Sequence, residues 1–298
     1  MSLRAPPDER SAAELLSFGV VNLDKPAGPS AHQVSAWVRD LVAERVGEDA
    51  VDRAAHAGTL DPKVTGCLPT MLGDATRLAQ VFLEGAKEYV AVLELHDSVP
   101  SDVDAVASEF EGRLYQKPPR KSAVARNLRV REVYDLDVLE TTERQALLRI
   151  RCESGTYVRK LCHDLGLALG TGAHMGHLRR TATVPFDDAD LATLHDLEDA
   201  LAFLEEGDED LLREVVAPAE RALDHLPRVT VAPSAAEQIA NGAPVYAPGV
   251  VDADDDARED GRLVACYAPS GTAVCLGRTA GPFDADEGVA VELEHVLA

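Results

Sequence analysis

The chain of 298 residues is long enough for one large domain and one small one. No stretch approaches the roughly 20 apolar residues of a membrane helix, and the charged residues among the first 14 do not fit a signal peptide. With 52 acidic against 29 basic residues, the net charge of −23 argues against a protein that binds nucleic acid over its whole surface.

The charge is unevenly distributed along the chain. Residues 187–260 hold 21 acidic and four basic residues, whereas residues 113–131 hold seven basic residues and no acidic one. Only six of the 29 basic residues are lysines, and this composition is typical of proteins that work at molar salt. There the Debye length is about 3 Å, so distant acids hardly repel a phosphate. The basic segment, residues 113–131, therefore favours contact with nucleic acid over a merely solvated face.

The five cysteines do not form a recognisable site. They are scattered and include no C-x-x-C pair: Cys67, Cys152, Cys162, Cys266 and Cys275. We predict buried thiols in a reducing cytoplasm, with neither a disulfide framework nor a metal site.

The first part of the chain predicts two capped helices around one strand. Ser11 and Glu14 have the spacing of a capping box, and the apolar run 19–23 predicts a strand. The sequence leaves open whether residues 1–18 form a disordered tail. Ser30 is placed to cap the second helix. Five apolar residues recur at helical spacing along it, and we predict that all lie in the core: Val34, Trp37, Val38, Leu41 and Val42.

The middle of the chain mixes strands and helices. A helix is predicted over 74–83, and residues 89–95 and 146–152 alternate between apolar and polar, as half-buried strands do. A helix over 157–169 is predicted to end at Gly170. Because these elements show no strict βαβ alternation, we predict an α+β domain on a mixed, largely antiparallel sheet.

The last third changes character at Pro227. Residues 187–226 are acidic and predicted to be helical with a solvated face. Short strands are predicted over 228–231, 263–268, 272–278 and 289–294. Among them lies one helix, capped by Ser234 and ended by Gly242. This pattern predicts a separate, mostly β module at the C-terminus.

The most informative motif is His56–Gly66, with the sequence HAGTLDPKVTG. It places one carboxylate, Asp61, between two glycines that allow sharp turns, Gly58 and Gly66. Pro62 fixes its own φ and restricts Asp61 to extended conformations. A carboxylate held in this way suits a nucleophile or general base, although an Asp-Pro pair alone is more often an ordinary turn.

Further motifs follow in a fixed order along the chain. They are GVVNLDKPAGPS at 19–30, LPTMLGDATR at 68–77, KEY at 87–89, QKPP at 116–119, SAV at 122–124 and GTYVR at 155–159. Together with the Asp61 motif they resemble the TruB/dyskerin family of pseudouridine synthases, from about residue 19 to the C-terminus. Thr59, Lys63, Thr65 and the compact stretch 122–133 resemble its archaeal and eukaryotic branch.

The resemblance implies a domain organisation and a reaction. Residues 1–227 would form the pseudouridine synthase catalytic domain, and residues 228–298 a small, mostly β PUA domain that binds RNA. Isomerisation of uridine to pseudouridine neither oxidises nor hydrolyses the substrate, so no cofactor and no metal are expected.

Three catalytic residues are implied by the matched motifs. Asp61 takes the place of the family's nucleophile, and the sequence leaves open whether it attacks the base at C6 or the sugar at C1′. Arg159 matches the active-site basic residue, whose positive charge keeps Asp61 ionised. Tyr89 matches the aromatic residue that stacks on the extruded base, which returns part of the energy of base flipping.

Contacts with the substrate are implied in the same way. Tyr157 matches a tyrosine that packs behind the site and positions Arg159. Leu178 matches an apolar residue that lines the uracil pocket, and His56 a histidine near the flipped nucleotide. The resemblance and the charge pattern together imply a set of phosphate contacts: Lys117, Arg120, Lys121, Arg126, Arg129, Arg131, Arg179 and Arg180.

Two modes of action are implied, and the sequence does not separate them. In one, the protein acts alone on the T-loop uridine of tRNA at position 55. In the other, it is the catalytic subunit of an H/ACA ribonucleoprotein, where a guide RNA and small partner proteins present an rRNA uridine. No membrane partner is expected, and we expect a cytoplasmic location.

Two other classes of function stay open. A non-catalytic RNA-binding or assembly protein would keep this fold but would not need Asp61, Tyr89 and Arg159, which are all present. A hydrolase would pair Asp61 with a second carboxylate, as glycosidases do, and Asp74 and Glu88 lie nearby in sequence. Release of free uracil from RNA would distinguish the hydrolase from an isomerase.

The acidic composition predicts that folding and activity require high potassium chloride. The 23 excess negative charges repel one another when they are unscreened. We expect the circular dichroism of the folded state and the activity to fall when KCl is lowered from molar concentration to about 50 mM. Full activity of a folded protein at the lower concentration would contradict this prediction.

Overall fold

A computed structural model describes residues 3–118 and 127–298. In these ranges the α-helices are α1 (Ala12–Ser17), α2 (Ala31–Arg45), α3 (Val81–Glu84), α4 (Val103–Ser108), α5 (Val158–Ala168), α6 (Leu194–Glu205), α7 (Asp210–Val215) and α8 (Pro233–Ala240). The first ten strands are β1 (Gly19–Lys25), β2 (Ala54–His56), β3 (Thr65–Leu72), β4 (Lys87–Leu95), β5 (Gly112–Gln116), β6 (Arg129–Thr141), β7 (Gln145–Cys152), β8 (Ala173–Thr183), β9 (Phe186–Asp187) and β10 (Val216–Pro218). The others are β11 (Arg228–Val231), β12 (Val245–Tyr246), β13 (Val250–Ala253), β14 (Leu263–Tyr267), β15 (Ala273–Thr279) and β16 (Val289–Val296).

The larger sheet carries the site motifs. Within the described residues it has the order β10-β1-β3-β8-β4-β7-β6-β5, with β2 added beside β3 and β9 beside β8. Its neighbouring strands run antiparallel except for β3 and β8, which are parallel. This arrangement confirms the predicted α+β class on a mixed, largely antiparallel sheet. The predicted alternation is also confirmed, because β4 buries every second residue from Lys87 to Leu95.

Helices pack on this sheet through one apolar core. Val38 of α2, Leu161 of α5 and Leu201 of α6 share a buried cluster with Leu68 of β3 and Ile150 of β7. Two predicted caps are confirmed, since Ser11 and Ser30 each form a full capping box. The same core contains Leu60 and Val64 of the loop that follows β2, so it fixes α5 and this loop relative to each other.

Three details of the helices differ from the predictions. Trp37 is 44% exposed and lines a surface cleft, because it lies about 100° around α2 from Val38, outside the buried stripe. The segment predicted as a helix over 74–83 is a 3-10 helix, Gly73–Gln80, that runs into α3. α8 begins after Ala232 and has no side-chain cap from Ser234. Pro233 occupies its first position, where a missing N–H is no loss.

The second sheet begins at Arg228 and has the order β12-β16-β15-β14-β11-β13 in the described residues. It does not stand apart from the larger sheet. Phe18, Val20 and Met71 pack with Tyr267 and Leu276 of the second sheet in one buried cluster. The two sheets therefore share part of their apolar core.

The cysteines are buried and free, as predicted: Cys67, Cys152, Cys162, Cys266 and Cys275. In the described part of the chain, no helix combines the length and the apolar character needed to span a membrane.

Residues 3–18, whose order the sequence left open, are ordered and connect the two sheets. They contain the 3-10 helix Pro7–Glu9 and α1. The guanidinium of Arg4 donates to the carbonyl of Leu297 over 2.9 Å and pairs with Asp74 over 2.7 Å. The N-terminal segment thus bonds both to Leu297, just after β16, and to Asp74, just after β3.

A buried ion pair strengthens this connection. Arg10 is 1% exposed and donates two hydrogen bonds, of 2.6 and 2.7 Å, to the carboxylate of Glu220. The same carboxylate accepts the backbone N–H of Ala273 on β15 over 3.2 Å. The buried carboxylate of Glu220 therefore bonds both to the N-terminal segment and to the second sheet.

We predict that Arg10→Met destabilises the protein by about 3–5 kcal/mol, because it leaves the carboxylate of Glu220 buried without its cation. The exposed pair Arg39–Asp40 offers a matched control, and Arg39→Met should change the free energy of unfolding by less than about 1 kcal/mol. Urea unfolding in molar KCl measures both. Equal losses in the two variants would contradict the prediction.

Candidate active site

The Asp61 loop connects β2 to β3 and is held through its backbone. The carbonyl of Asp61 accepts the N–H of Val64 over 3.0 Å, which closes a turn. The carbonyl of Pro62 accepts the N–H of Gly28 over 2.8 Å, from the turn that follows β1. Leu60 and Val64 are each 3% exposed and fix the loop on the core. Asp61 itself points outward, with its side chain 49% exposed.

Lys25 lies beneath this loop and is fully buried. Its ammonium group donates to the carbonyls of Pro26, Pro62 and Val64 over 2.8, 3.2 and 2.8 Å. Burial lowers the pKa of Lys25, and the negative charge of Asp61 opposes that shift. No role is predicted for Lys25 from the sequence. A lone lysine at the end of an apolar strand is the signal that could have identified it.

Arg159 and Asp61 form an ion pair. Arg159 lies in the first turn of α5, and its side chain is 42% exposed. The two residues that make this contact lie 98 residues apart in sequence. The predicted pair is therefore brought together, and it remains open to a ligand that arrives from solvent.

Tyr89 lies on β4, which pairs with β8 on one side and β7 on the other. The residue is 9% exposed and lies close to the charge of Arg180. Burial raises the pKa of Tyr89 above its usual value, so its phenol is neutral. Little of Tyr89 is accessible to a ligand, and the stacking role stays a prediction.

Arg180 is a buried residue, and the phosphate contact predicted for it is wrong. It is 1% exposed and donates to the carbonyl of Cys67 over 2.7 Å and to that of Gly58 over 3.3 Å. The parallel pairing of Gly66 with Arg180 draws it inward. A Cβ at Gly66 would lie 2.2 Å from the carbonyl oxygen of Arg180, so only glycine permits this approach.

The three predicted substrate contacts lie around this centre. Tyr157 directly precedes α5. Leu178 is partly buried on β8, opposite Ala91 of β4. His56 ends β2, and burial together with the charge of Arg180 lowers its pKa. Their roles stay predictions.

The predicted phosphate contacts differ in availability. Lys117 is exposed and Arg129 is half-buried. Arg131 pairs with Glu153 over 3.0 Å, and Arg179 pairs with Asp24 over 2.9 Å. Three further members of the set lie outside the described residues: Arg120, Lys121 and Arg126.

A second buried lysine lies behind the site. Lys87 is 3% exposed and donates to the carbonyls of Phe82 and Gly85 over 2.7 and 3.1 Å. Burial, aided by the charge of Arg180, lowers the pKa of Lys87 to about 7. No group of three or more His, Cys, Asp or Glu residues in the described ranges is arranged to hold a metal ion.

These features define a class of site. A carboxylate on a loop held by backbone hydrogen bonds faces solvent, an arginine forms an ion pair with it, and a neutral tyrosine lies on a nearby strand. Such a site suits nucleophilic or acid–base chemistry on a ligand that binds from outside.

Comparisons with known proteins identify the family. Residues 48–158 match the N-terminal domain of the TruB family of pseudouridylate synthases, and residues 159–224 match the C-terminal domain of tRNA pseudouridylate synthase B. Residues 227–297 match the PUA domain, and residues 4–35 match the DKCLD domain. The chain belongs to the TruB family and is a pseudouridine synthase with a C-terminal PUA domain.

Individual relatives cover the whole chain. A protein of Halobacterium salinarum named "Probable tRNA pseudouridine synthase B" is 66% identical over 100% of both chains. The protein of the same name from Methanopyrus kandleri is 45% identical over 98% of this chain and 86% of its own. Among solved structures, a Cbf5-Nop10-Gar1 complex matches with a TM-score of 0.91 and 42% identity, covering 100% of this chain and 90% of that one. An H/ACA RNP bound to a substrate RNA containing 2′-deoxyuridine matches with a TM-score of 0.89 and 40% identity, covering 99% and 90%.

The lowered pKa of Lys87 predicts a pH-dependent stability. Lysine in the unfolded chain titrates near about 10.4, so above about pH 7 the unfolded state binds the additional proton. The free energy of unfolding should therefore rise with pH in this window. Relative to Lys87→Met, we expect the wild type to gain about 2–3 kcal/mol between roughly pH 7.5 and 9.5.

Urea unfolding at several pH values measures this difference. The thiols of Cys67 and Cys152, whose pKa values burial raises to about 12 and about 11, are present in both proteins and cancel. Lys63→Met removes an exposed lysine and serves as the control for lost charge. Parallel stability profiles for the wild type and Lys87→Met would show that the prediction is wrong.

Proposed function

We propose that Asp61 is the nucleophile with which this pseudouridine synthase isomerises a specific uridine, the T-loop uridine of tRNA at position 55. The observation that carries the proposal is the contact between Asp61 and Arg159 on an open surface. Lys25 supports it, since three backbone carbonyls bonded to one buried ammonium hold the Asp61 loop in place. A nucleophile held in this way loses little entropy at the moment of reaction.

The proposed chemistry uses this chain's own residues. The N1–C1′ bond of uridine breaks and a C5–C1′ bond forms, while C5 loses a proton and N1 gains one. Asp61 forms the transient bond, either to C6 of the base or to C1′ of the sugar. Arg159 forms an ion pair with the carboxylate before it reacts. The detached uracil must stay in the site, and no other molecule enters the balance.

The residues around Asp61 are assigned roles in binding a flipped-out uridine. A uridine in a folded RNA reaches Asp61 only when it leaves its stack, which costs a few kcal/mol. We assign Tyr89 to contact with the extruded base, Leu178 to the wall of its pocket and His56 to its nucleotide. Tyr157 would pack behind them.

Phosphates would follow the exposed cations of the basic segment. Of the predicted contacts in it, Lys117 is exposed and Arg129 is half-buried, and Arg179 could exchange its partner Asp24 for a phosphate. Arg120, Lys121 and Arg126 belong to the same proposal on sequence grounds alone. The PUA domain would bind the end of the RNA.

The guided mode is the second candidate, and a specific comparison favours it. Chains with this fold occur in complexes named for Nop10 and Gar1 and in an H/ACA RNP with substrate RNA. By likeness, this chain would bind a guide RNA and small partner proteins and act on rRNA. Names of relatives such as that of Halobacterium salinarum favour tRNA instead. We propose that either reaction occurs in the cytoplasm, in keeping with five free cysteines.

The proposal predicts that Asp61→Asn abolishes the reaction. Tritium release from C5-labelled uridine in a tRNA transcript, measured in molar KCl, reports turnover. Loss of a nucleophile should reduce the rate at least about 10³-fold, because binding remains while covalent chemistry is removed. Asp40→Asn changes an exposed carboxylate of α2 and should leave the rate unchanged.

Each pattern of release decides between the alternatives. Release by the wild type and Asp40→Asn alone supports a stand-alone enzyme with Asp61 as nucleophile. Release that survives Asp61→Asn would remove that role. If no protein releases tritium, the assay with guide RNA and partner proteins tests the guided mode. Free uracil in the products would instead indicate a hydrolase.

A further inference from the structure

Two residues of the basic segment, Gln116 and Arg131, bond to one short turn. This turn, residues 153–157, leads from β7 into α5, the helix that carries Arg159. The QKPP motif that includes Gln116 has no role in the chemistry described above.

Gln116 makes a reciprocal pair with the backbone of Tyr157. Its side-chain oxygen accepts the Tyr157 N–H over 2.9 Å, and its amide group donates to the Tyr157 carbonyl over 3.4 Å. Gln116 ends β5 and is 2% exposed, so water does not compete for these bonds. Two hydrogen bonds to one residue fix both the position and the orientation of the peptide units there.

Arg131 holds the other side of the same turn. Its guanidinium donates to the carboxylate of Glu153 over 3.0 Å, and the N–H of Glu132 donates to that carboxylate over 3.1 Å. Gly155 leaves space for the guanidinium, since a Cβ there would lie 3.3 Å from its nitrogens. Thr156 closes the turn by donating to the carbonyl of Glu153.

These bonds bear directly on the catalytic arginine. The carbonyl of Tyr157 accepts the N–H groups of Lys160 and Leu161 over 2.9 and 3.0 Å, so Tyr157 starts the hydrogen-bond ladder of α5. Arg159 follows two residues later and meets Asp61. Any shift of Tyr157 therefore moves the guanidinium of Arg159. A displacement of about 1 Å at a reacting centre can lower a rate about 100-fold.

We propose that Gln116 is a positioning residue for the reaction, which sets Arg159 against Asp61 through the backbone of Tyr157, with Arg131 holding the same turn. The proposal rests on the role of Asp61 and Arg159 in the proposed function. Lys117, the first of the predicted phosphate contacts, directly follows Gln116 in the chain, so the positioning residue is adjacent to an RNA contact.

Gln116→Met tests the proposal, because it keeps the length and volume of the side chain and removes both hydrogen bonds. We expect kcat to fall at least tenfold, while KM and the Kd for tRNA change less than twofold. Gln145→Met, a substitution of an exposed glutamine on β7, is the matched control and should leave kcat unchanged. A kcat within twofold of the wild type, or a loss confined to KM or Kd, would overturn the proposal.

Hydrogen–deuterium exchange supplies a readout independent of activity. In Gln116→Met, the amides of residues 157–161 should exchange faster, and those of β7 should not. Unchanged exchange in the first turn of α5 would overturn the proposal even if kcat fell. A wild type without activity would count against the proposed function, whereas exchange would still report whether Gln116 controls α5.

Gln116→Glu is the second variant if Gln116→Met does not fold. Measured above the pH at which the introduced carboxyl ionises, it keeps an oxygen that accepts the Tyr157 N–H and sets a second acceptor against the Tyr157 carbonyl in place of the donor. We expect faster exchange over residues 157–161 and a fall in kcat smaller than that of Arg159→Met. Exchange and kcat equal to those of the wild type would overturn the proposal.

Discussion

The geometry of the site depends on the hydrogen bonds from the buried ammonium of Lys25 to the carbonyls of Pro26, Pro62 and Val64. They join the turn after β1 to the loop before β3, so the Asp61 loop cannot move without breaking charge-assisted hydrogen bonds in the interior. The loop can then expose Asp61 to solvent without becoming mobile. Arg159 approaches from α5, a separate rigid element, and the pair forms where two fixed parts of the fold meet.

Much of this arrangement could be predicted from local signals. The period of two along β4 and β7, and the capping boxes at Ser11 and Ser30, depend on neighbouring residues alone, and each is confirmed. The motifs also predicted that Asp61 and Arg159 belong together. Trp37 was misplaced because the helical period locates a buried stripe but not its edges, which depend on neighbouring helices. Ser234 lost its capping role to Pro233, a competition that the cap pattern does not weigh.

Non-local pairing explains what the sequence could not show. Arg179 and Arg180 are adjacent in sequence, yet Arg179 reaches Asp24 near the surface while Arg180 is enclosed beside Cys67 and Gly58. Only the parallel pairing of β3 with β8 decides which of the two turns inward. Lys25 and Gln116 were missed for a related reason. Their partners are backbone carbonyls and N–H groups, so the amino-acid pattern can mark Lys25 as an unusual residue at a strand end but cannot show what either side chain bonds to.

The buried cations also explain how a chain with a net charge of −23 keeps a working site. Molar salt screens exposed charges over about 3 Å, so surface ion pairs contribute little there. Lys25, Lys87 and Arg180 lie in the interior and donate to carbonyl oxygens, which dissolved ions do not reach. Their bonds are therefore insensitive to the molar salt that the acidic composition predicts. An acidic exterior is compatible with these three buried cations, because they lie where salt has no effect on them.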